Sequence, residues 1–261
     1  MSPHRRAAGS GVGRVPPPDA VLARAATLLG CFDEGAPVLS LARLAERSGL
    51  PKGTVHRLAG QLVEQGLLDR DDRGYRLGMW LFELGELVPQ HRTLSDAARP
   101  IMTDLYEATR QRIHLAVLSG IDVVYVEIVG GSGMRIGSRT GGRLPAHATG
   151  VGKAMLAYSP AAVVRARVEA GLGRLTPRTI TTPGGLDSEL RKIRSVGMSL
   201  DLEESTLGLS CVAAPVFGSD RKVHAALSIT GSTARFDPGT LGPAVRTAAY
   251  TLSRVLRTSG L

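Results

Sequence analysis

Cysteine is nearly absent from the 261-residue chain: Cys31 and Cys211 are the only two. They lie far apart and form neither a disulfide framework nor a metal-ligand spacing, so no metal site is expected and a reducing cytoplasm is the compartment they suggest. Long apolar runs are missing as well. None approaches the ~20 residues a membrane span needs, so no membrane partner is expected. The N-terminus carries His4, Arg5 and Arg6 with no apolar stretch behind them, which excludes a secretory signal. It continues as Gly9-Ser10-Gly11-Val12-Gly13 and Pro16-Pro17-Pro18, a composition unable to bury surface, and residues 1–18 read as a disordered arm. Catalytic signatures are also lacking. There is no HExxH and no GxSxG. Gly150-Val151-Gly152-Lys153 is no phosphate loop, because His147 stands where that motif needs Gly and Ala154 where it needs Ser or Thr. Ser219-Asp220-Arg221-Lys222 satisfies SxxK but sits in a polar turn. His114 and His147 have no ligand partner nearby in sequence, so structural or surface roles are expected of them. Asp201, Glu203 and Glu204 come with no nucleophile. These absences point away from an enzyme and from any cofactor.

What is present is an apolar content of 43% and a formal charge of +9. At roughly 100–200 residues per domain the length suggests two domains. The charge suits a polyanionic partner, but its distribution does not locate the contact. Residues 1–90 hold 11 Lys/Arg against 10 Asp/Glu, whereas residues 91–261 hold 21 against 13.

Helical apolar spacing runs through 19–34 (Val21, Leu22, Ala25, Leu28, Leu29, Phe32), with Asp19 as N-cap and Gly35-Ala36-Pro37 as the stop. Ser40 caps a second, short helix that turns at Ser48-Gly49. Pro51 suits the first position of a third helix, whose inward face is Val55, Leu58, Leu62 and Val63. Two short runs, Leu67–Asp69 and Tyr75–Leu77, flank the turn Arg70–Gly74 and read as a hairpin. Residues 79–88 are again helical, ended by Pro89, and 95–109 form another helix. The domain boundary falls around 89–94. Beyond it, strands are expected at 113–118, 123–129, 136–138, 199–202, 211–217 and 223–230, and helices at 150–158, 161–169, 187–196 and 238–256. Regular βαβ crossovers are missing, so the fold class is α+β with a mostly antiparallel sheet.

Three short helices followed by a hairpin have the order of a winged helix-turn-helix, which lays its recognition helix in the major groove of DNA. Lys52, Thr54, His56 and Arg57 fall between the apolar positions of the third helix. Arg57 suits a bidentate contact to guanine. Lys52 and Thr54 sit at the helix start, where side chains and backbone N–H groups hold phosphate. Arg70, Arg73 and Arg76 on the hairpin would meet flanking DNA. By spacing alone, a helix with a solvated polar face and a charged turn fits equally well.

The segment Leu44-Ala45-Glu46-Arg47-Ser48-Gly49-Leu50-Pro51-Lys52-Gly53-Thr54-Val55-His56-Arg57-Leu58 resembles the recognition region of the IclR family of bacterial regulators. Tyr75-Arg76-Leu77-Gly78 is similar to the end of its wing. The likeness continues at 143–154 (RLPAHATGVGKA), 207–216 (LGLSCVAAPV) and 226–231 (ALSITG), and so spans residues 19–257 in order. Gly53 departs from the family's usual Ser, and Leu202 from a usual acidic residue. The resemblance implies a winged helix-turn-helix at 19–78, a linker helix at 79–94 and a GAF-like effector-binding domain at 95–261. It implies a regulator, of repressor type, acting on double-stranded operator DNA under a small organic or aromatic acid; a protein-interaction or sensing module that does not bind DNA is the alternative. The implied effector pocket comprises Met134, Ile136, Gly150, Val151, Asp201, Leu209, Cys211, Ser228 and Thr230.

The residues are compatible with that pocket. Ser228 and Thr230 are two apart on a strand and share a face, although a solvated sheet face explains them equally well. Cys211 also reads as a small buried hydrophobe. Gly150 permits close approach of backbone, and the helix after Thr149 would offer N–H groups to an anion. Asp201 opposes an anion unless the ligand also brings a hydroxyl donor. One recognition helix covers too few base pairs, so a dimer or a dimer of dimers is expected, with Leu81, Phe82, Leu84 and Leu87 as its contact.

Overall fold

A computed structural model describes residues 20–33, 35–130 and 138–258. The expected arm at 1–18, the N-cap Asp19, and Met134 and Ile136 lie outside the described residues. The chain divides into two compact units between Pro89 and Gln90.

In the first unit, helix α1 (Val21–Leu29) ends at Gly30, short of the expected stop at Gly35. Helix α2 (Leu41–Ser48) starts at Ser40, whose Oγ accepts the Arg43 N–H, and closes at Gly49, whose φ of +68° is the left-handed turn that glycine supplies without steric penalty. Pro51 occupies the N-cap rather than the first turn of helix α3 (Lys52–Glu64). Strands β1 (Leu68–Asp71) and β2 (Gly74–Leu77) pair antiparallel, so Arg70 and Asp71 belong to a strand and not to the turn. Leu28, Leu44, Val55, Leu58, Leu62, Leu68 and Tyr75 form the common core. Backbone bonds in both directions between Leu39 and Tyr75, each 2.9 Å, tie the hairpin to the start of α2. Helix α4 (Met79–Glu86) follows. Pro89 does not merely end it: it opens helix α5 (Pro89–Thr109), consistent with the tolerance of proline in a first turn.

The second unit is built on a six-stranded sheet. Its strands are β3 (Arg112–Ser119), β4 (Asp122–Val129), β5 (Arg143–Pro145), β6 (Ser199–Leu202), β7 (Leu209–Phe217) and β8 (Val223–Ser232), in the order β5-β4-β3-β8-β7-β6. Every pairing is antiparallel. The short β5 was not expected, and Ser138 is not in a strand. One face, with Ile113, Leu115, Val212, Leu227 and Ile229, packs against α5 and helix α9 (Pro238–Thr258). The other face packs against helix α6 (Gly150–Leu156), two residues shorter than expected, and helix α8 (Pro183–Val196). Helix α7 (Ala161–Glu169) joins α6 to the loop before α8. Alternation along β3 explains the split: Ile113 and Leu115 face one side, while Arg112, His114 and Ala116 face the other.

Candidate functional site

The apolar positions of α3 turn Lys52, His56 and Arg57 outward. All three are exposed, and Thr54 is half-buried at the helix start. Arg57 is held only by a 3.4 Å contact of Nη1 to Gln61 Oε1, which leaves its guanidinium available. Arg47, by contrast, is absorbed by the Cys31 carbonyl at 2.7 Å and Asp33 at 2.8 Å and fastens α2 to the end of α1. The hairpin arginines differ among themselves. The register puts Asp69 opposite Arg76 and Arg70 opposite Tyr75. Arg76 is paired with Asp71 at 3.0 Å and Asp69 at 3.4 Å, and Arg70 lies 5.3 Å from the Tyr75 ring centroid. Arg73, at the turn, is more exposed than Arg76. Backbone N–H groups of Arg73 and Gly74 bond Asp71, which holds its carboxyl below the usual range.

In the second unit the register aligns two cross-strand rows on the face under α6. One runs Asp201–Cys211–Thr230–Arg112, the other Ser199–Ala213–Ser228–His114. Residues paired in this way share a face. A small, partly open pocket with a cavity volume of about 60 Å³ lies above the rows. Seven of the expected effector residues line it: Gly150, Val151, Asp201, Leu209, Cys211, Ser228 and Thr230. The remaining two, Met134 and Ile136, fall outside the described residues. Ser228 and Thr230 are buried, so the solvated-face reading does not hold for them. Gly150 allows the close approach expected of it, though to the sheet: a Cβ there would stand 2.9 Å from Cys211 Sγ. The Ser199 hydroxyl donates to the Gly150 carbonyl at 2.5 Å and fixes α6 on β6. The helix-terminus argument for an anion weakens, because α6 has only seven residues and Thr149 Oγ1 already accepts the Gly152 N–H at 3.1 Å.

The electrostatics of the pocket follow from burial. Asp201 is raised above the usual carboxylate range by desolvation, opposed by the Ser205 hydroxyl (2.7 Å) and the Glu204 N–H (2.7 Å) it accepts. Desolvation, reinforced by Asp201, pushes the Cys211 thiol up to about 12, so it stays protonated. His114 was expected to be structural or at the surface. Instead it lines the pocket, and burial, with Arg112 nearby, brings it down to about 3, so the ring is neutral. Its Nε2 is 2.9 Å from Ser138 Oγ, and its Nδ1 lies 3.3 Å from Thr230 Oγ1 and 3.4 Å from Ser228 Oγ. Tyr125, Ser138, Ser205 and Thr206 also line the pocket and were not anticipated. The alternation Arg112-x-His114-x-Ala116 against Ile113-x-Leu115 was the available signal for His114. Its pairing with Ser228 is a contact over 114 positions that no local pattern carries.

Lys153, which the phosphate-loop test set aside, is 0% exposed and bonds Glu204 at 2.5 Å and Glu189 at 3.4 Å. Burial raises the Glu204 carboxyl, and Lys153 opposes that shift. Because Ser205 and Thr206 follow Glu204 directly, this pair holds the pocket wall in place.

Comparison with known proteins identifies both units. The family described as IclR helix-turn-helix domain matches residues 21–72, and the bacterial transcriptional regulator IclR C-terminal family matches residues 87–254. The chain is 36% identical over 240 residues to the HTH-type transcriptional regulator XynR of Escherichia coli K12, covering 89% of this chain and 95% of that protein. It is 34% identical over 220 residues to the transcriptional repressor IclR of the same organism, covering 82% of this chain and 80% of that one. Among solved structures, an IclR homologue from Microbacterium hydrocarbonoxydans complexed with 4-hydroxybenzoate superposes with a TM-score of 0.82 at 27% identity, covering 92% of this chain and all (100%) of that one. The Thermotoga maritima IclR superposes with a TM-score of 0.71 at 28% identity, covering 90% and 98%. The chain belongs to the IclR family of bacterial transcriptional regulators, with a helix-turn-helix DNA-binding unit followed by the family's C-terminal domain.

Proposed function

We propose that this regulator is a cytoplasmic repressor that acts by binding rather than by catalysis. In this reading α3 enters the major groove of a double-stranded operator. Arg57 reads a base edge, Lys52 and Thr54 hold phosphate at the helix start, His56 adds a polar contact, and Arg73 leads Arg70 and Arg76 in meeting flanking DNA. A small organic acid bound in the second unit changes operator affinity. The observation that carries the reading is the convergence of seven separated residues on one pocket, in a chain that begins with a winged helix-turn-helix. The homologue solved with 4-hydroxybenzoate supports an acid as the ligand class. With Asp201 in the wall, a hydroxy-acid, keto-acid or hydroxylated aromatic acid fits best.

The regulator works as a dimer or a dimer of dimers, reading half-sites about 34–36 Å apart or a multiple of that. Support comes from α4, whose Phe82 is 63% exposed and Leu87 just beyond it 74%. A thermal-shift screen of such acids on the full chain, followed by titration of upstream duplex DNA with and without each hit, tests the proposal. An acid that binds and shifts operator affinity is the expected result. An acid that binds and leaves DNA binding unchanged would defeat the sensing role.

A further inference from the structure

We infer that His114 sets the hydrogen-bond polarity of the pocket floor, so that the ligand group seated on Ser228 and Thr230 is an acceptor, a carboxylate or keto oxygen. The inference rests on reading this pocket as the effector site, and it fixes which end of the effector goes where. A neutral imidazole has one donor and one acceptor nitrogen. Here Nδ1 lies at 3.3 and 3.4 Å from two hydroxyl oxygens, while Nε2 meets a single hydroxyl at 2.9 Å. One lone pair takes one hydroxyl well. An N–H set between two oxygens at nearly equal, slightly long distances is a shared, three-centre donor. The two Nδ1 contacts therefore place the ring proton on Nδ1, and Nε2 is then the acceptor for the Ser138 hydroxyl at 2.9 Å.

The consequence is directional. With their oxygens accepting from Nδ1, Ser228 and Thr230 have their own hydrogens to give, either to the Cys211 sulfur beside them or to an acceptor that enters the pocket. The lining, among the described residues, carries no Lys or Arg, so a carboxylate seated there is held by neutral donors. Asp201 stands two strands from Thr230 along the same row, with Cys211 between them. Two strand spacings amount to about 9–10 Å. The ligand thus lies with its acceptor toward β8 and β3 and a hydroxyl donor toward β6. This orientation keeps the two carboxylates apart.

Two measurements on the full chain test this. In the first, histidine is labelled with ¹⁵N, and His114→Asn identifies the His114 signals among the six histidines. The ligand-free protein should show protonated Nδ1 and unprotonated Nε2; the opposite tautomer overturns the inference. The second is calorimetry with two probes, 4-hydroxybenzoate and 4-hydroxybenzyl alcohol, which share the hydroxyl and differ in the carboxylate. His114→Leu should weaken the acid by about ten-fold or more, and His114→Asn, whose amide N–H reaches the Nδ1 position, by about three-fold at most. The alcohol, whose neutral oxygen is a weaker acceptor than a carboxylate, should lose less than the acid in His114→Leu. Melting curves check that both variants stay folded. Acid binding unchanged in His114→Leu overturns the inference. Should the wild-type chain bind neither probe, the effector reading fails for this ligand class, and the ¹⁵N spectrum still decides the tautomer.

Discussion

Gly53 and Arg57 stand one helical turn apart on α3, both turned away from the core. Truncating Arg57 to Ala should cost about 1–3 kcal/mol of operator binding and relax preference at one base position. Lys52→Ala should weaken every sequence alike and lower the slope of log K against log salt by about one. Footprints in which Arg57→Ala keeps the native preference would remove the base-reading role. A Cβ at Gly53 meets nothing within 4 Å. Gly53→Ser should therefore fold without strain, favour the helix by about 0.5 kcal/mol and restore the phosphate-contacting hydroxyl that the family usually has, so that DNA binding tightens. His114 offers a second test, through pH. Its folded pKa of about 3 lies below the ordinary value of 6.5, so below 6.5 the unfolded chain takes up a proton that the folded chain refuses. The stability from the neutral ring is complete above 6.5 and drains away as pH falls toward 3. It should be down by roughly 1.4 kcal/mol at pH 5.5. Urea unfolding of the second unit at pH 7.5 and 5.5 should show this loss in the wild type and a smaller one in His114→Asn, where His147, also lowered by burial, still contributes. A gap between the two proteins that does not change with pH would contradict a buried neutral imidazole.

At the scale of elements, α4 carries the clearest expectation. Met79, Phe82, Leu84, Leu87 and Val88 are exposed together, and the proposed two-fold arrangement would cover them. Phe82→Glu with Leu87→Glu should shift light scattering toward the 27.4 kDa monomer and weaken operator binding in step. A wild-type chain already monomeric while bound to DNA would refute the two-fold arrangement. Elements with strong periodicity or a clear cap were legible in the sequence: α7 at 161–169 and β6 at 199–202 match residue for residue, and α2 starts at the expected Ser40 cap but keeps Ser48, expected in the turn, in its last turn of helix. The misreadings have physical causes. Pro89 reads as a stop in the sequence, yet proline also begins helices, and only packing decides between the two. β5 is three residues long and exists because β4 offers it an edge, which no local pattern announces. The pocket was legible through motif resemblance at Gly150, Asp201, Cys211, Ser228 and Thr230. His114 and Lys153 escaped because their meaning lies in partners 114 and 51 positions away.

Over the whole molecule, charge and recognition are separated. Residues 91–261 carry 21 basic against 13 acidic groups, whereas residues 1–90 are close to balanced, and the hairpin further neutralises itself through Asp69, Asp71 and Arg76. The surplus therefore raises the general attraction of the chain to a polyanion, while in the proposed reading sequence preference rests on the exposed side chains of α3. An effector needs to change only the geometry or the population of the DNA-competent state. A coupling free energy of about 1–3 kcal/mol, roughly 5- to 150-fold in affinity, is typical for this. Linkage makes the expectation strict. If a hydroxylated acid bound in the pocket weakens the operator complex by some factor, saturating operator must weaken the acid by the same factor. Calorimetric titration of the acid into the free chain and into the chain–operator complex gives one factor; operator titration with and without saturating acid gives the other. The two should agree, and Asp201→Asn should alter the acid affinity in both titrations without changing acid-free operator affinity. Two unequal factors would mean that the acid reaches the DNA complex by another route, such as direct competition at α3. Two factors of one, with both ligands bound, would mean that the pocket is real and has no part in regulation.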